Sequence, residues 1–336
     1  MKAFQIAGSF GLENMKQVEL PEPQAGPGQV VVRIRAASLN YRDLVVIKGG
    51  YGPRQKLPVI PLSDGAGEIA AVGAGVSRVK PGDRVMGCFA PAWIEGPLTQ
   101  EKVDSSLGCY VDGVLAESVV MNAESVLPFP SHLSFTEAAA LPCAALTAWN
   151  ALFVADHLQP GATVVVQGTG GVSLFALQFT RMAGARVIVT SSSDQKLARV
   201  KELGASAGIN YKTTPDWDKE VRKLTGGRGA DHIVEVGGAG TFNRSLGCIR
   251  MGGMISMIGV LAGASAEVRT TLILFRAAHV QGIFVGSRVM MEDMNRAISA
   301  HALHPVLDKT FPFAESPAAL RHLESGAHFG KVVISF

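Results

Sequence analysis

The segment from Thr163 to Thr190 restricts the fold of this chain more than any other. Thr163-Val-Val-Val-Gln167 is β-branched and apolar and reads as a buried strand. It runs directly into Gly168-Thr-Gly170-Gly171-Val172-Ser173. From there apolar residues recur at Val172, Phe175, Phe179 and Met182, a helical stripe. A second apolar strand, Arg186–Thr190, comes next. Strand, glycine turn, helix and strand in this order form a βαβ unit, which places both strands in a parallel sheet. The first glycine allows the tight turn. The second lets the backbone approach a pyrophosphate, whose charge the helix N-terminus stabilises. Gly168, Gly170, Gly171 and Val172 are therefore candidate dinucleotide contacts, with a purely structural glycine turn as the alternative. The third glycine of G-x-G-x-x-G is replaced by Ser173, a change expected to loosen helix–strand packing.

The alternation continues. Ser193 can cap a helix running to Leu203, with Gly204 closing it. Ile209–Tyr211, His232–Val236, Met254–Gly259 and Val280–Val285 read as further short strands. Six strands in this pattern predict an α/β, doubly wound parallel sheet. The second strand ends in Ser191-Ser192-Ser193, where a free ribose would call for Asp or Glu. The nearest acid, Asp194, falls in the next helical turn. Serine hydroxyls with Lys196 close behind suit a 2′-phosphate, so NADPH is the expected cofactor. The competing reading is a strand-to-helix loop with Ser193 as its cap.

The first third has a different character. Gln29 to Ala37 alternates, with Val30, Val32, Ile34 and Ala36 on one face and Val31, Arg33 and Arg35 on the other. Gly49-Gly50, Gly52-Pro53, Gly73, Gly75 and Lys80-Pro-Gly-Asp83 punctuate the next forty residues or so, which suggests a small barrel or sandwich. Ser134-Phe-Thr-Glu137 reads as a capping box opening a helix. Lys331–Phe336 reads as a strand that returns to the first domain. The 336 residues accommodate two domains, 1–126 with 302–336, and 127–301.

Composition narrows the partners. Net charge is +3 and no basic run exceeds two residues, which argues against nucleic acid as a partner. Cys88, Cys109, Cys143 and Cys248 lie far apart with no C-x-x-C pair, against a disulfide framework or a four-cysteine zinc site. The first twenty residues make a poor signal peptide. The uncharged run Ala138–Ala155, about long enough for a membrane span, is alanine-rich and broken by Pro142, Thr147 and Asn150. It reads as a buried helix rather than a membrane span. A cytoplasmic protein with no membrane partner is expected.

Several segments taken together resemble the medium-chain dehydrogenase/reductase superfamily, in its zinc-independent, quinone oxidoreductase-like branch. They are Ala37-Ser-Leu-Asn40-Tyr-Arg-Asp43, Gly65-Ala-Gly67, Val79-Lys-Pro-Gly-Asp-Arg-Val85, Ala140-Leu-Pro-Cys-Ala-Ala-Leu-Thr-Ala-Trp149, the glycine loop, Phe284-Val-Gly-Ser-Arg288 and Gly330-Lys331. The resemblance covers nearly the whole chain. It implies a Rossmann cofactor domain together with a mainly β, GroES-like catalytic domain. It also implies dinucleotide contacts: Thr147 near the nicotinamide, Tyr211 beside the 2′-phosphate, and Gly237, Ile258, Gly259 and Val260 along the fold's cleft. Phe284, Val285 and Gly286 would meet the carboxamide, and Lys331 completes the set. For each apolar member core packing competes, most strongly for Ile258. A homodimer paired through Val280–Val285 is implied as well.

Zinc-dependent members of that superfamily place Cys, His-Glu and Cys around the metal. Here those positions match Asn40, Ser63-Asp64 and Cys143, too few ligands for zinc, so no metal is expected. His301 and His304 form an H-x-x-H without a third ligand and read as surface histidines. Lacking a metal, the oxidation of a simple alcohol has no evident means of stabilising an alkoxide. A quinone or an α,β-unsaturated carbonyl delocalises the incoming charge onto its own oxygen and needs only a few donors. The Asn40 amide is one candidate donor. Tyr51 is another: in the similar enoyl thioester reductases a tyrosine in the corresponding loop protonates the product enolate. Here it competes with a loop-anchor role, while Asp43 reads as structural. The expected activity is NADPH-dependent hydride transfer to a quinone or enone. The alternatives are an enoyl thioester reductase, or an NADPH-binding sensor or structural protein with little turnover.

Overall fold

A computed structural model describes residues 1–52 and 54–336; Pro53 of the Gly52-Pro53 turn lies outside the described residues. The chain divides into two compact units, Met1–Leu146 with Gly286–Phe336, and Thr147–Val285. In chain order the strands of the first unit are β1 (Lys2–Ile6), β2 (Met15–Glu19), β3 (Gln29–Ser38), β4 (Asp64–Val72), β5 (Arg84–Gly87), β6 (Ser118–Asn122) and β7 (Val126–Pro128). The second unit holds β8 (Thr163–Gln167), β9 (Arg186–Ser191), β10 (Ala207–Asn210), β11 (Ala230–Glu235), β12 (Ile249–Met257) and β13 (His279–Gly282). The chain then returns to the first unit with β14 (Leu307–Pro312) and β15 (Lys331–Ser335).

In the first unit a mostly antiparallel sheet runs β14-β15-β3-β4-β5-β7, with β6 also paired to β3. The closing strand does return: β15 pairs antiparallel with β3, setting Val333 against Ser38 and Ser335 against Ala36. The alternation expected of β3 breaks at Val31, which is buried instead of facing outward. The register between β3 and β4 also shifts here, with Val31 opposite Ala71 and Val32 opposite Ile69, which leaves the extra residue on β4. Val32, Ile34, Ile69, Val85, Leu115, Val332 and Ile334 are among the core of this unit.

The unit boundaries differ from those expected of the sequence. The Phe135–Ala139 helix, opened by the Ser134–Glu137 capping box, packs on β3 and β4 and so belongs to the first unit. The Arg288–Ala300 helix joins it too, through Arg288 N to the Trp93 carbonyl and Asn295 Nδ2 to the Pro128 carbonyl at 3.2 Å. The alanine-rich run is helical but not uniform: Leu141–Ala145 and Asn150–Val154 are wide π-type turns flanking Leu146–Trp149. Pro142, which has no amide to donate, lies in the first of them. No helix among the described residues is long and apolar enough to cross a membrane.

The second unit is a fully parallel sheet in the order β10-β9-β8-β11-β12-β13. The chain builds outward from β8 through β9 to β10, then restarts beside β8 with β11. The reversal lies between β8 and β11, where ligands of such sheets bind at the carboxyl ends of the strands. All five residues of β8 are buried, as a central parallel strand requires. β13, expected over Val280–Val285, stops at Gly282, and Val285 turns with φ at +40°.

Candidate functional site

At the end of β8, Gly168 takes a left-handed φ of +74° and donates its amide to the Thr190 carbonyl at 2.7 Å. Glycine fits that conformation without the strain a Cβ would add. The Gly171–Met182 helix starts immediately, with Gly170 at its N-cap and no side chain capping it. Its first amides are thus left for an anion. Ser173 does not loosen the packing as expected. It is buried, and its Oγ donates to the Gln167 carbonyl at 2.7 Å, tying helix to strand.

Beneath the loop lies a polar knot that sequence reasoning missed. Glu235, the last residue of β11, is fully buried. Its carboxylate accepts from Gln167 Nε2 at 2.6 Å, Ser245 Oγ at 2.5 Å, Thr241 Oγ1 at 2.5 Å and the amides of Gly237 and Gly238 at 2.9 and 3.0 Å. Gln167 Oε1 accepts from the Gly237 amide at 3.1 Å. The strand ends on either side of the reversal are thereby locked together. The available signal was a polar residue closing each of two apolar strands. Gly237 must be glycine, because a Cβ there would sit 2.2 Å from Thr241 Oγ1. Gly259 likewise faces the Val236 carbonyl, at 2.5 Å from an added Cβ. The amides of Ile258 and Gly259 both donate to the Glu235 carbonyl; Ile258 is half-buried and Val260 exposed.

The end of β9 gathers the residues expected around a 2′-phosphate. Tyr211 donates its amide to the Ser191 carbonyl at 3.0 Å, and its side chain is exposed. Ser191 Oγ accepts from the Ser193 amide and Ser193 Oγ from the Lys196 amide, each at 3.3 Å, so Ser193 does cap the Asp194–Glu202 helix. Ser192 lies between them, half-buried. The Asp194 carboxylate is engaged by Asn210 Nδ2 at 2.8 Å, at the end of β10. Elsewhere in this unit Thr147 is buried, and Asn150 Nδ2 donates to the Val285 carbonyl at 2.9 Å, next to Phe284. Gly286 falls in the first unit, where a Cβ would meet Leu146 Cγ at 2.8 Å.

The first unit brings together Asn40, Ser63, Asp64, Cys143 and Lys331. Asn40 links β3 to the Tyr41–Ile47 helix, and its backbone N–H donates to Asp43 Oδ2 at 2.7 Å. Asp64 opens β4 and is fully buried; it accepts from Ser63 Oγ at 2.7 Å and from the Cys143 amide at 3.1 Å. Lys331, expected among the dinucleotide contacts, is 2% exposed and spends its ammonium here. It donates to Asn40 Oδ1 at 2.5 Å and to the Leu39 carbonyl at 2.6 Å, with Asp64 Oδ2 at 4.0 Å.

Arg42 is buried beside this cluster, its guanidinium 4.7 Å from the Tyr51 ring centre and 4.8 Å from that of Phe89. Its Nη1 donates to the Leu107 carbonyl at 3.0 Å. Burial works against its charge, but Tyr51 and Asp43 outweigh that and hold its pKa above the ordinary arginine value. Burial lifts the Asp43 carboxyl to about 6, against the pull of Arg42. The Tyr51 amide donates to Gln55 Oε1 at 2.5 Å, and its ring lies 6.2 Å from that of Tyr110.

Zinc does not fit these side chains. Asn40 Oδ1 already accepts from an ammonium, and both Asp64 oxygens accept hydrogen bonds. Cys143 is the one thiol of the cluster, whereas zinc takes about three protein ligands and an open position. No cluster of three His, Cys, Asp or Glu suited to a metal occurs among the described residues. His301 and His304 are both exposed, and His304 Nδ1 meets Glu137 Oε1 at 2.6 Å.

A parallel sheet with an open glycine loop at its reversal, in one chain with a β-sheet unit holding a buried polar cluster, defines a two-domain dehydrogenase of the Rossmann type. Residues 26–131 match the alcohol dehydrogenase GroES-like domain and residues 171–300 the zinc-binding dehydrogenase domain. The chain belongs to the medium-chain dehydrogenase/reductase superfamily and is an oxidoreductase of that family. It is 47% identical over 331 residues to a zinc-type alcohol dehydrogenase-like protein of Schizosaccharomyces pombe, covering 96% of each chain. A quinone oxidoreductase-like protein 2 homolog of Nematostella vectensis is 28% identical, covering 99% of this chain and 86% of that one. The crystal structure of an alcohol dehydrogenase candidate from Sinorhizobium meliloti 1021 superposes with a TM-score of 0.92 at 45% identity, over 100% of this chain and 99% of the other.

Proposed function

We propose that this protein is a cytoplasmic, zinc-independent reductase that uses NADPH to reduce a quinone or an α,β-unsaturated carbonyl. The observation that carries the reading is the Lys331 ammonium seated on Asn40 and beside Asp64, at positions that match the metal ligands of zinc-dependent relatives. A lysine so placed is no Lewis acid for a simple alcohol, so an acceptor that carries its own charge suits the site better. The quinone oxidoreductase-like relative supports the same class.

NADPH, when bound, supplies a hydride. Gly168, Gly170, Gly171 and Val172 would hold its pyrophosphate at the open helix N-terminus. Ser191, Ser192, Ser193, Lys196 and Tyr211 would receive the 2′-phosphate, since the nearby Asp194 is occupied by Asn210. Hydride addition at the β-carbon of an enone would shift the C=C electron pair toward the carbonyl oxygen, and a proton would then join the α-carbon. Asn40 stabilises the developing oxyanion and Tyr51 is the candidate source of the proton. The protein pairs with a second copy through β13.

The test is steady-state oxidation of NADPH and NADH, with chelator present, against quinones, simple enones and pantetheine-linked enoyl thioesters. The expected result is turnover of quinones or enones with NADPH preferred, and a larger loss of affinity for NADPH than for NADH in Lys196→Ala. Chelator-sensitive oxidation of simple alcohols would overturn the reading. A strict need for the pantetheine-linked acceptor would move it to an enoyl thioester reductase.

A further inference from the structure

We propose that Lys331 is the positioning residue that fixes the Asn40 side chain as the oxyanion donor of this site. The inference rests on the reductase reading and deepens it. An ammonium offers only donors, so the atom of Asn40 that faces it at 2.5 Å must be the carbonyl oxygen Oδ1. That contact removes the two-fold ambiguity of the amide. The opposite end, Nδ2, then has a fixed direction. Nδ2 is buried and has no partner among the described residues, and Asn40 is only 9% exposed. A buried amide donor without a partner is costly to leave unmade, and it persists where a ligand completes it.

The lysine is itself held from three sides. It donates to Leu39 and Asn40, and Asp64 Oδ2 faces it at 4.0 Å. Asp64 in turn is held by Ser63 and the Cys143 amide. The backbone of Asn40 is fixed independently, by Asp43 on its amide. Side chain and main chain of Asn40 are therefore both pinned before any acceptor arrives, which is what a donor aimed at developing charge requires. A cation on the amide oxygen also withdraws electron density from the nitrogen and strengthens Nδ2–H as a donor. Lys331 thus acts on the acceptor's oxygen through Asn40 and never touches it.

The experiment is a double-mutant cycle with Asn40→Ala, Lys331→Met and their combination, read as kcat and KM on the best acceptor. Removing one such donor typically costs kcat about 10²- to 10³-fold. Asn40→Ala is expected to lose on that order with KM little changed, and Lys331→Met to lose a similar factor. The double variant should be no slower than the slower single, because the lysine works only through the amide. Losses that multiply in the double variant would overturn the proposal.

Lys331→Met leaves Asp64 buried without its cation and can fail to fold, so Asn40→Asp provides a second arm. It keeps the contact with Lys331 but has no N–H to donate; kcat should fall as far as in Asn40→Ala, and full activity would overturn the proposal. A third arm needs no acceptor. In protein labelled with 15N-asparagine, the Nδ2H2 signal of Asn40, identified by its loss in Asn40→Asp, should move in Lys331→Met. An unmoved signal would overturn the positioning role. If the wild type reduces neither class of acceptor, the reductase reading fails while this arm still decides the Lys331–Asn40 contact.

Discussion

Arg42 and Tyr51 show how one buried charge sets the use of its neighbour. The Arg42 guanidinium, 4.7 Å from the Tyr51 ring centre, packs on the face of the phenol and holds the ring in place. Tyr51→Phe is expected to lower enone turnover by roughly 10²-fold, the low end of general-acid contributions, with NADPH affinity unchanged. Quinone turnover should fall less, because the reduced anion is a weaker base that solvent can protonate. Stopped-flow turnover with both acceptors, alongside fluorescence titration of NADPH, checks this. Unchanged enone turnover would assign the proton to solvent. Tyr51 stands out in the sequence among glycines, but Arg42 does not. A lone arginine reads as a surface residue, and only the packing of Tyr51 and Phe89 against it shows otherwise.

The central strands β8 and β11 are tied at both ends by carboxylates, and β12 joins them at one end. At the end away from the glycine loop, Asp231 accepts from Arg228 at 2.7 and 2.6 Å, from Arg250 Nε at 2.6 Å and from the Thr163 amide at 2.8 Å. Burial opposes its ionisation, but these donors outweigh burial and bring its pKa down to about 2. A depressed folded pKa stabilises the fold above the unfolded value near 4, and that stability disappears as pH falls toward 2. Asp231→Asn should therefore cost about 1–2 kcal/mol near neutral pH, a figure discounted for partial solvent screening. Denaturant melts should show the gap between variant and parent closing below about pH 4. A gap that stays constant down to pH 2 would contradict this account. The strands themselves were readable from β-branched runs. The ties were not, because Asp231 and Glu235 are joined to Arg250, Thr163 and Gln167 only by sheet pairing.

The sheet of the second unit ends in β13, all four of whose residues are exposed. The Thr270–Arg276 helix, which precedes β13 in the chain and packs on β12, adds Leu274 and Phe275, each more than 70% exposed. An open strand edge beside such side chains invites pairing, and a second copy related by a two-fold axis presents the same edge in return. The protein is expected to scatter light as a dimer at micromolar concentration. Replacing Leu274 and Phe275 together by glutamate should yield monomers. A monomeric wild type would remove the pairing. The edge strand was legible before the structure, though longer than it is. The exposed apolar side chains of the preceding helix were not, since their exposure depends on how that helix packs on β12.

Local chemistry along the chain was enough for the architecture of the second unit. β-branched runs, glycine turns and helix caps act over a few residues, so β8, the glycine loop and the Ser193 cap could be read without knowing what packs on them. The unit boundaries could not. They depend on which sheet the Phe135–Ala139 and Arg288–Ala300 helices cover, a matter of contacts between residues far apart in the chain. The same holds for the polar cluster. Asn40 and Lys331 are separated by 291 residues, and neither carries a local mark of the other. Their meeting comes from the pairing of β15 with β3, which lays the start of the last strand beside the end of an early one. Long-range strand pairing sets which side chains share a buried site, and with it whether a metal or a lysine holds the charge there.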